Sequence, residues 1–88
     1  MEVEFVNAQL MARKHSGTFE VPTQDELNNL KPSNFVKVCA FRERFWVEIE
    51  EINDEIITGR IDNDLVMTDE IKFDDVITFK KENIYAIF

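Results

Sequence analysis

Two kinds of hydrophobic spacing divide this chain. Up to residue 30 the apolar positions are sparse and follow helical spacing. Phe5, Ala8 and Ala12 share one helical face, and Arg13 and Lys14 follow where a helix C-terminus favours cations. This predicts a short helix within residues 5–14, stopped near Gly17. A brief extended piece, Thr18 to Val21, leads to Pro22. Thr23-Gln24-Asp25-Glu26 then carries the signature of a capping box, in which Thr23 and Glu26 satisfy each other's backbone donors. The helix it opens runs from Gln24 to about Leu30, because Pro32 forces Lys31 out of helical geometry.

From Phe35 the spacing becomes that of strands. Phe35 to Phe41 is apolar on both faces, as an interior strand requires. Arg42-Glu43-Arg44 reads as a polar turn. In Phe45 to Ile52 the residues Phe45, Val47 and Ile49 face one way, and Trp46, Glu48 and Glu50 the other. Asn53-Asp54-Glu55 is a turn by composition. Ile56 to Ile61 follows, with Ile57, Gly59 and Ile61 on one face, and Gly59 marks a bulge or a close approach of backbones. Asp62-Asn63-Asp64 turns the chain again. Val76 to Phe79 and Asn83 to Phe88 complete the set. One pattern occurs twice: Leu30-Lys31-Pro32-Ser33-Asn34 and Ile71-Lys72-Phe73-Asp74-Asp75. Each places an apolar residue, a lysine, any residue and two small polar residues before a strand, as a tight turn launching a strand would. The resulting expectation is an α+β fold in one domain, 1–88. Short N-terminal helices pack on a bent antiparallel sheet, or a partly open small β-barrel, of about five strands.

Several of these residues resemble a bacterial family, number 2314 among the domains of unknown function. The matching positions are Phe35-Val36-Lys37-Val38, Glu43, Trp46, Val47, Gly59-Arg60-Ile61-Asp62-Asn63, the segment from Ile71 to Phe79, and Ile84. Ala8, Ala12 and Phe19 are similar to that family's leading segment. The family tends to have Gly-Asp where this chain has Ser33-Asn34 and Asp74-Asp75, and Asn-Pro where it has Asn63-Asp64. Its tryptophan-containing tail is replaced by Ile84-Tyr85-Ala86. The resemblance implies a small α+β fold and no activity.

Charge narrows the function. The net charge is −8, and the segment from Glu43 to Asp75 holds twelve acids against three bases. Direct nucleic-acid binding needs clustered Lys and Arg and is disfavoured. A basic protein partner fits better. No apolar run reaches the ~20 residues of a membrane span, and the start of the chain lacks the features of a signal peptide, so the expected compartment is the cytoplasm. Catalytic groups are scarce. One His (His15), one Cys (Cys39) and two Ser (Ser16, Ser33) offer no oriented nucleophile, and Cys39 in an apolar run reads as a structural thiol. The carboxylates around Asp62-Asn63-Asp64, Asp69 and Glu70 fail the spacing of a calcium loop, because its sixth position is Met67. No cofactor or metal is implied.

The first functional expectation is therefore a non-enzymatic acidic interaction module. Its contact residues would be Trp46, Glu48, Glu50, Asp62, Asp64, Asp69 and Asp74. A sharper form is an inhibitor, as from a phage or bacterium, that occupies a basic, nucleic-acid-binding protein surface. Trp46 would be the anchor, unless it follows the commoner fate of tryptophan and packs under the N-terminal helix. The alternative expectation is a small-ligand binder or enzyme with a pocket between helix and sheet near Trp46, His15 and Arg44. A third is a homodimer paired through the strand Ile84 to Phe88.

Overall fold

The computed structural model describes residues 3–15, 17 and 20–88. Thr18 and Phe19 of the expected piece Thr18 to Val21 lie outside these residues. Two short helices, α1 (Ala8–Lys14) and α2 (Gln24–Asn28), precede five strands. The Asn7 side chain caps α1 by accepting from the Leu10 amide at 3.0 Å. The capping box of α2 is complete: Thr23 Oγ1 accepts from the Glu26 amide at 3.2 Å, and Glu26 Oε1 from the Thr23 amide at 2.9 Å. Leu27 from α2 enters the core.

The strands are β1 (Phe35–Ala40), β2 (Glu43–Asn53), β3 (Ile56–Ile61), β4 (Val76–Lys80) and β5 (Ala86–Ile87). They form one antiparallel sheet in the order β4-β3-β2-β1-β5. The first hairpin turns at Phe41-Arg42, not at Arg42-Glu43-Arg44. Glu43 already pairs with Ala40, and Phe41 and Arg42 both take positive φ, 53° and 65°. That is the two-residue turn whose twist matches a hairpin, and Phe41 uses it to lay its ring back against the core. The second hairpin turns at Asp54-Glu55.

Val36, Val38, Ala40, Phe45, Val47, Ile49, Ile57, Ile61, Ile77 and Phe79 line one face of the sheet and form its core. The period of two does not survive the length of β2. Its register with β3 slips between Ile49, opposite Gly59, and Glu51, opposite Thr58. Glu50 is the extra residue of a β-bulge. The slip returns Ile52 to the core side, opposite Ile57, despite its even number.

The repeated pattern is one turn built twice. In the first copy Ser33 has φ 78°, the Asn34 amide donates to the Lys31 carbonyl, and Asn34 Oδ1 accepts from the Lys31 amide at 2.9 Å. In the second, Asp74 has φ 76°, the Asp75 amide donates to the Lys72 carbonyl, and Asp75 Oδ2 accepts from the Lys72 amide at 3.0 Å. Each turn docks on the central hairpin through a single residue. Ser33 donates to Ile49 and Asn34 accepts from it; Asp74 donates to Ile61 and Asp75 accepts from it. Leu30 and Ile71 anchor the turns in the core. The positive φ belongs to the third position of a type II turn, where glycine is preferred. Replacing Ser33 by glycine is expected to stabilise the fold by about 0.5–1 kcal/mol, relief of left-handed strain offset in part by a looser unfolded chain. Urea unfolding of S33G measures it.

A short link bends the sheet. β4 and β5 lie at opposite edges, four strand spacings apart, or about 19 Å if the sheet were flat. Only residues 81–85 join them, and Lys81–Asn83 are wound into a 3-10 turn. Such a link falls short of a flat sheet's width, since three of its residues rise only ~2 Å each. The sheet therefore curves strongly without closing into a barrel, and the link crosses its concave side, with Ile84 fully buried. Asn83 fastens this crossing. Its side chain accepts from the Lys80 amide at 2.8 Å and donates to the Val6 carbonyl at 3.1 Å, while the Val6 amide donates to the Cys39 carbonyl.

Candidate interaction face

The side of the sheet away from the core is only partly covered. Phe35, Lys37 and Cys39 of β1, and Trp46 and Glu48 of β2, are half-buried there. Trp46 is thus not under the N-terminal helix. Phe45 and Val47 claim the core side, and alternation turns the ring between them outward. Its edges are defined by neighbours. Lys37, directly across the ladder, places Nζ 4.8 Å from the ring centroid. Phe88 meets the ring edge-on at 6.0 Å, and Phe35 packs on Phe88 at 6.5 Å. Phe35, Trp46, Phe88 and Asp62 surround a hollow of about 240 Å³.

The loop beyond β3 holds Trp46 in position. Asn63 Oδ1 accepts from the Trp46 amide, and the Asp62 amide donates to the Trp46 carbonyl at 2.9 Å. Asn63 thereby extends the β2–β3 ladder with a side chain, which sets Asp62 at the rim of the hollow. Farther along the loop, Glu43 Oε1 accepts from the amides of Val66 and Met67, both at 2.9 Å.

The seven expected contact residues do not form one acidic patch. Trp46 and Asp62 line one hollow, while Glu48, next on the same face of β2, stands opposite Arg60 in the ladder. Glu50 and Asp74 instead converge on Arg60, at 3.0 and 3.6 Å, which offsets their charge. Asp64 and Asp69 are exposed on the loop after β3. The aromatic walls Phe35 and Phe88 were not singled out as site residues. The signal was present in part: β1 is apolar on both faces, and an interior strand of an open sheet has only one core side. Phe88 carried no such signal, because its place depends on the register of β5 with β1.

Cys39 sits opposite Arg44, whose guanidinium lies 4.4 Å from the Tyr85 ring centroid. Burial pushes the Cys39 thiol above its ordinary range and outweighs the opposite pull of Arg44. A thiol so held is not an activated nucleophile. The hollow at Trp46 is lined by neither His15 nor Arg44. His15 is exposed and ends α1, so the pocket expected between helix and sheet is not where these residues meet. Among the described residues no group of three or more His, Cys, Asp or Glu is placed to hold a metal ion, and no helix is long and apolar enough to cross a membrane. Comparison with known proteins finds no matching family model, no matching curated protein and no matching solved structure.

Proposed function

We propose that this chain is a non-enzymatic interaction module that binds a basic segment of a partner protein on its open sheet face. The observation that carries this reading is the hollow itself: three aromatic rings and one carboxylate, on a chain of net charge −8. An Arg or Lys side chain suits it in both parts. The aliphatic stem packs between the rings. The cationic head meets Asp62 and the π-face of Trp46. Lys37 already rests on that ring from within the chain, so an incoming cation competes with it or displaces it. In the narrower form of this proposal the partner surface normally binds nucleic acid, and the surrounding carboxylates stand in for phosphates.

The one tryptophan of the chain reports the event directly. A basic peptide such as acetyl-Ala-Arg-Ala-Arg-Ala-Arg-amide should change the Trp46 fluorescence, and added salt should weaken its binding. Asp62→Lys and Glu48→Lys should each reduce affinity by about tenfold or more, since like charges now face each other. The expected loss for Phe88→Ala, a truncated aromatic wall, is roughly 30-fold, or about 2 kcal/mol. Unchanged affinity in Asp62→Lys and Phe88→Ala together would sink the proposal. Trp46→Ala serves as a further check by calorimetry, where fluorescence is lost.

A further inference from the structure

The walls of the hollow at Trp46 suit some cations better than others. Of the four residues that line it among those described, three are aromatic, and only the Asp62 side chain accepts hydrogen bonds. The rings do not stack. Trp46 and Phe88 meet at 86°, and Phe88 and Phe35 at 72°, so they stand as walls around the space instead of filling it. Their faces carry negative charge density. Among the described residues no donor or cation engages the Asp62 carboxylate, whereas Glu50 and Asp74 share Arg60. Lys37 rests its ammonium on the Trp46 ring but does not line the hollow, which therefore lacks a cation of its own. An unmodified lysine head brings three N–H donors, and an arginine head five. Asp62 can take one or two of them. Against the rings the others lose the water that served them, which costs free energy. A trimethylated ammonium keeps the charge, has no N–H to satisfy, and lays methyl groups directly on ring faces.

We infer that the hollow reads lysine methylation, taking the trimethylated lysine side chain of a partner protein in preference to unmodified lysine or arginine. The inference rests on the proposal that this face binds a basic segment, and it narrows that proposal to one modified residue. Size and shape favour a side-chain tip over a free small molecule. The hollow, of about 240 Å³, is below the roughly 300–1,000 Å³ of pockets that enclose a whole ligand. Phe88 is 91% exposed, so the outer side is open and the rest of a longer chain can leave through it. Methylation leaves the charge of lysine unchanged. The long-range attraction of a chain of net charge −8 is therefore the same for both forms, and the choice falls to the three rings and Asp62.

The probes are acetyl-Ala-Arg-Ala-Lys-Ala-Arg-amide and the same peptide with its lysine trimethylated, each titrated into the whole chain by calorimetry. The trimethylated peptide should bind about tenfold tighter or more. An analogue with carbon in place of that nitrogen has the same shape without the charge, and should bind about tenfold more weakly than the trimethylated peptide. Choline, a free quaternary ammonium, should also bind about tenfold more weakly or less. Phe88→Ala removes one wall at an exposed position, without cost to the core, and should bring the ratio between the two peptides to about one. Equal affinity for the two peptides overturns the inference and leaves the proposal of a basic partner segment standing. Binding by neither overturns both. A carbon analogue that binds as well as the trimethylated peptide overturns it in favour of an apolar slot, and choline binding as tightly overturns it in favour of a free small ligand. A preference that survives Phe88→Ala places the discrimination elsewhere and overturns it for this hollow.

Discussion

Gly59→Ala is expected to destabilise this protein by about 3 kcal/mol, at the upper end of overpacking costs. A methyl group at position 59 would lie 2.4 Å from Val47 Cγ1 and 2.8 Å from the Glu48 carbonyl oxygen. Neither neighbour can retreat. Val47 is fully buried, and β-branching holds its χ1. The Glu48 carbonyl belongs to the backbone of the central strand, beside the bulge at Glu50. A domain of this size is held by roughly 4–13 kcal/mol in total. The loss should therefore appear as a fall in melting temperature of roughly 10–20 °C. Shortening Val47 in the same chain should recover only part of it, because the clash with the carbonyl remains. A loss below 1 kcal/mol in urea unfolding would show that β2 and β3 can separate more easily than their packing implies.

Asn83→Ala should cost about 2–3 kcal/mol, the penalty for leaving buried backbone groups unpaired. The Val6 carbonyl loses its donor and the Lys80 amide its acceptor. Amide exchange should quicken at Val6, whose bond to Cys39 is the next one along the same segment. Asn83→Asp separates the two roles. The acid keeps an acceptor for Lys80 but, when ionised, opposes oxygen to oxygen at Val6. Its pKa in the folded chain should rise above the ordinary carboxyl value, so the folded state binds that proton more tightly than the unfolded one. The variant should then regain stability as pH falls through its folded pKa and lose it as pH rises. A pH series of unfolding midpoints, with the unaltered protein subtracted, measures this.

How much of this was readable beforehand depended on whether a residue's role is local. The capping box at Thr23 and Glu26, the strand run from Phe35, and the alternation through Ile49 all state their partners within a few positions. The echo of Leu30 to Asn34 in Ile71 to Asp75 was readable as a turn for the same reason. Its docking was not. An antiparallel hairpin is symmetric by a half-turn, so β2 and β3 offer equivalent outer positions, Ile49 and Ile61, and the same turn fits both. The first turn precedes its strand and docks on a later one, while the second follows the strand it docks on. That order argues for one geometric solution reached twice. The bulge at Glu50 hid the inward turn of Ile52, because no glycine marks it on β2 itself. Glu43 and Asn63 entered the sequence reading only as turn residues and as positions of the family resemblance, yet they hold the loop after β3 and the backbone of Trp46. The acidic residues named from charge alone were the least informative. Arg60, invisible as a partner until β3 lies beside β2, draws Glu50 and Asp74 away from the group around Trp46.

The bent sheet gives its hollow one wall on a very short strand. β5 has two residues, paired with Val36 and Lys37, and Phe88 follows it through a single bond to the Phe35 carbonyl. Phe35, Trp46 and Asp62 belong to the body of the sheet; Phe88 is present only while β5 is docked. Apparent affinity then scales with the docked fraction, so a change that frays β5 nine-tenths of the time weakens binding about tenfold without touching a contact residue. The converse also holds: an occupant of the hollow protects β5 from opening, and what the partner recognises is in part a closed state of the chain.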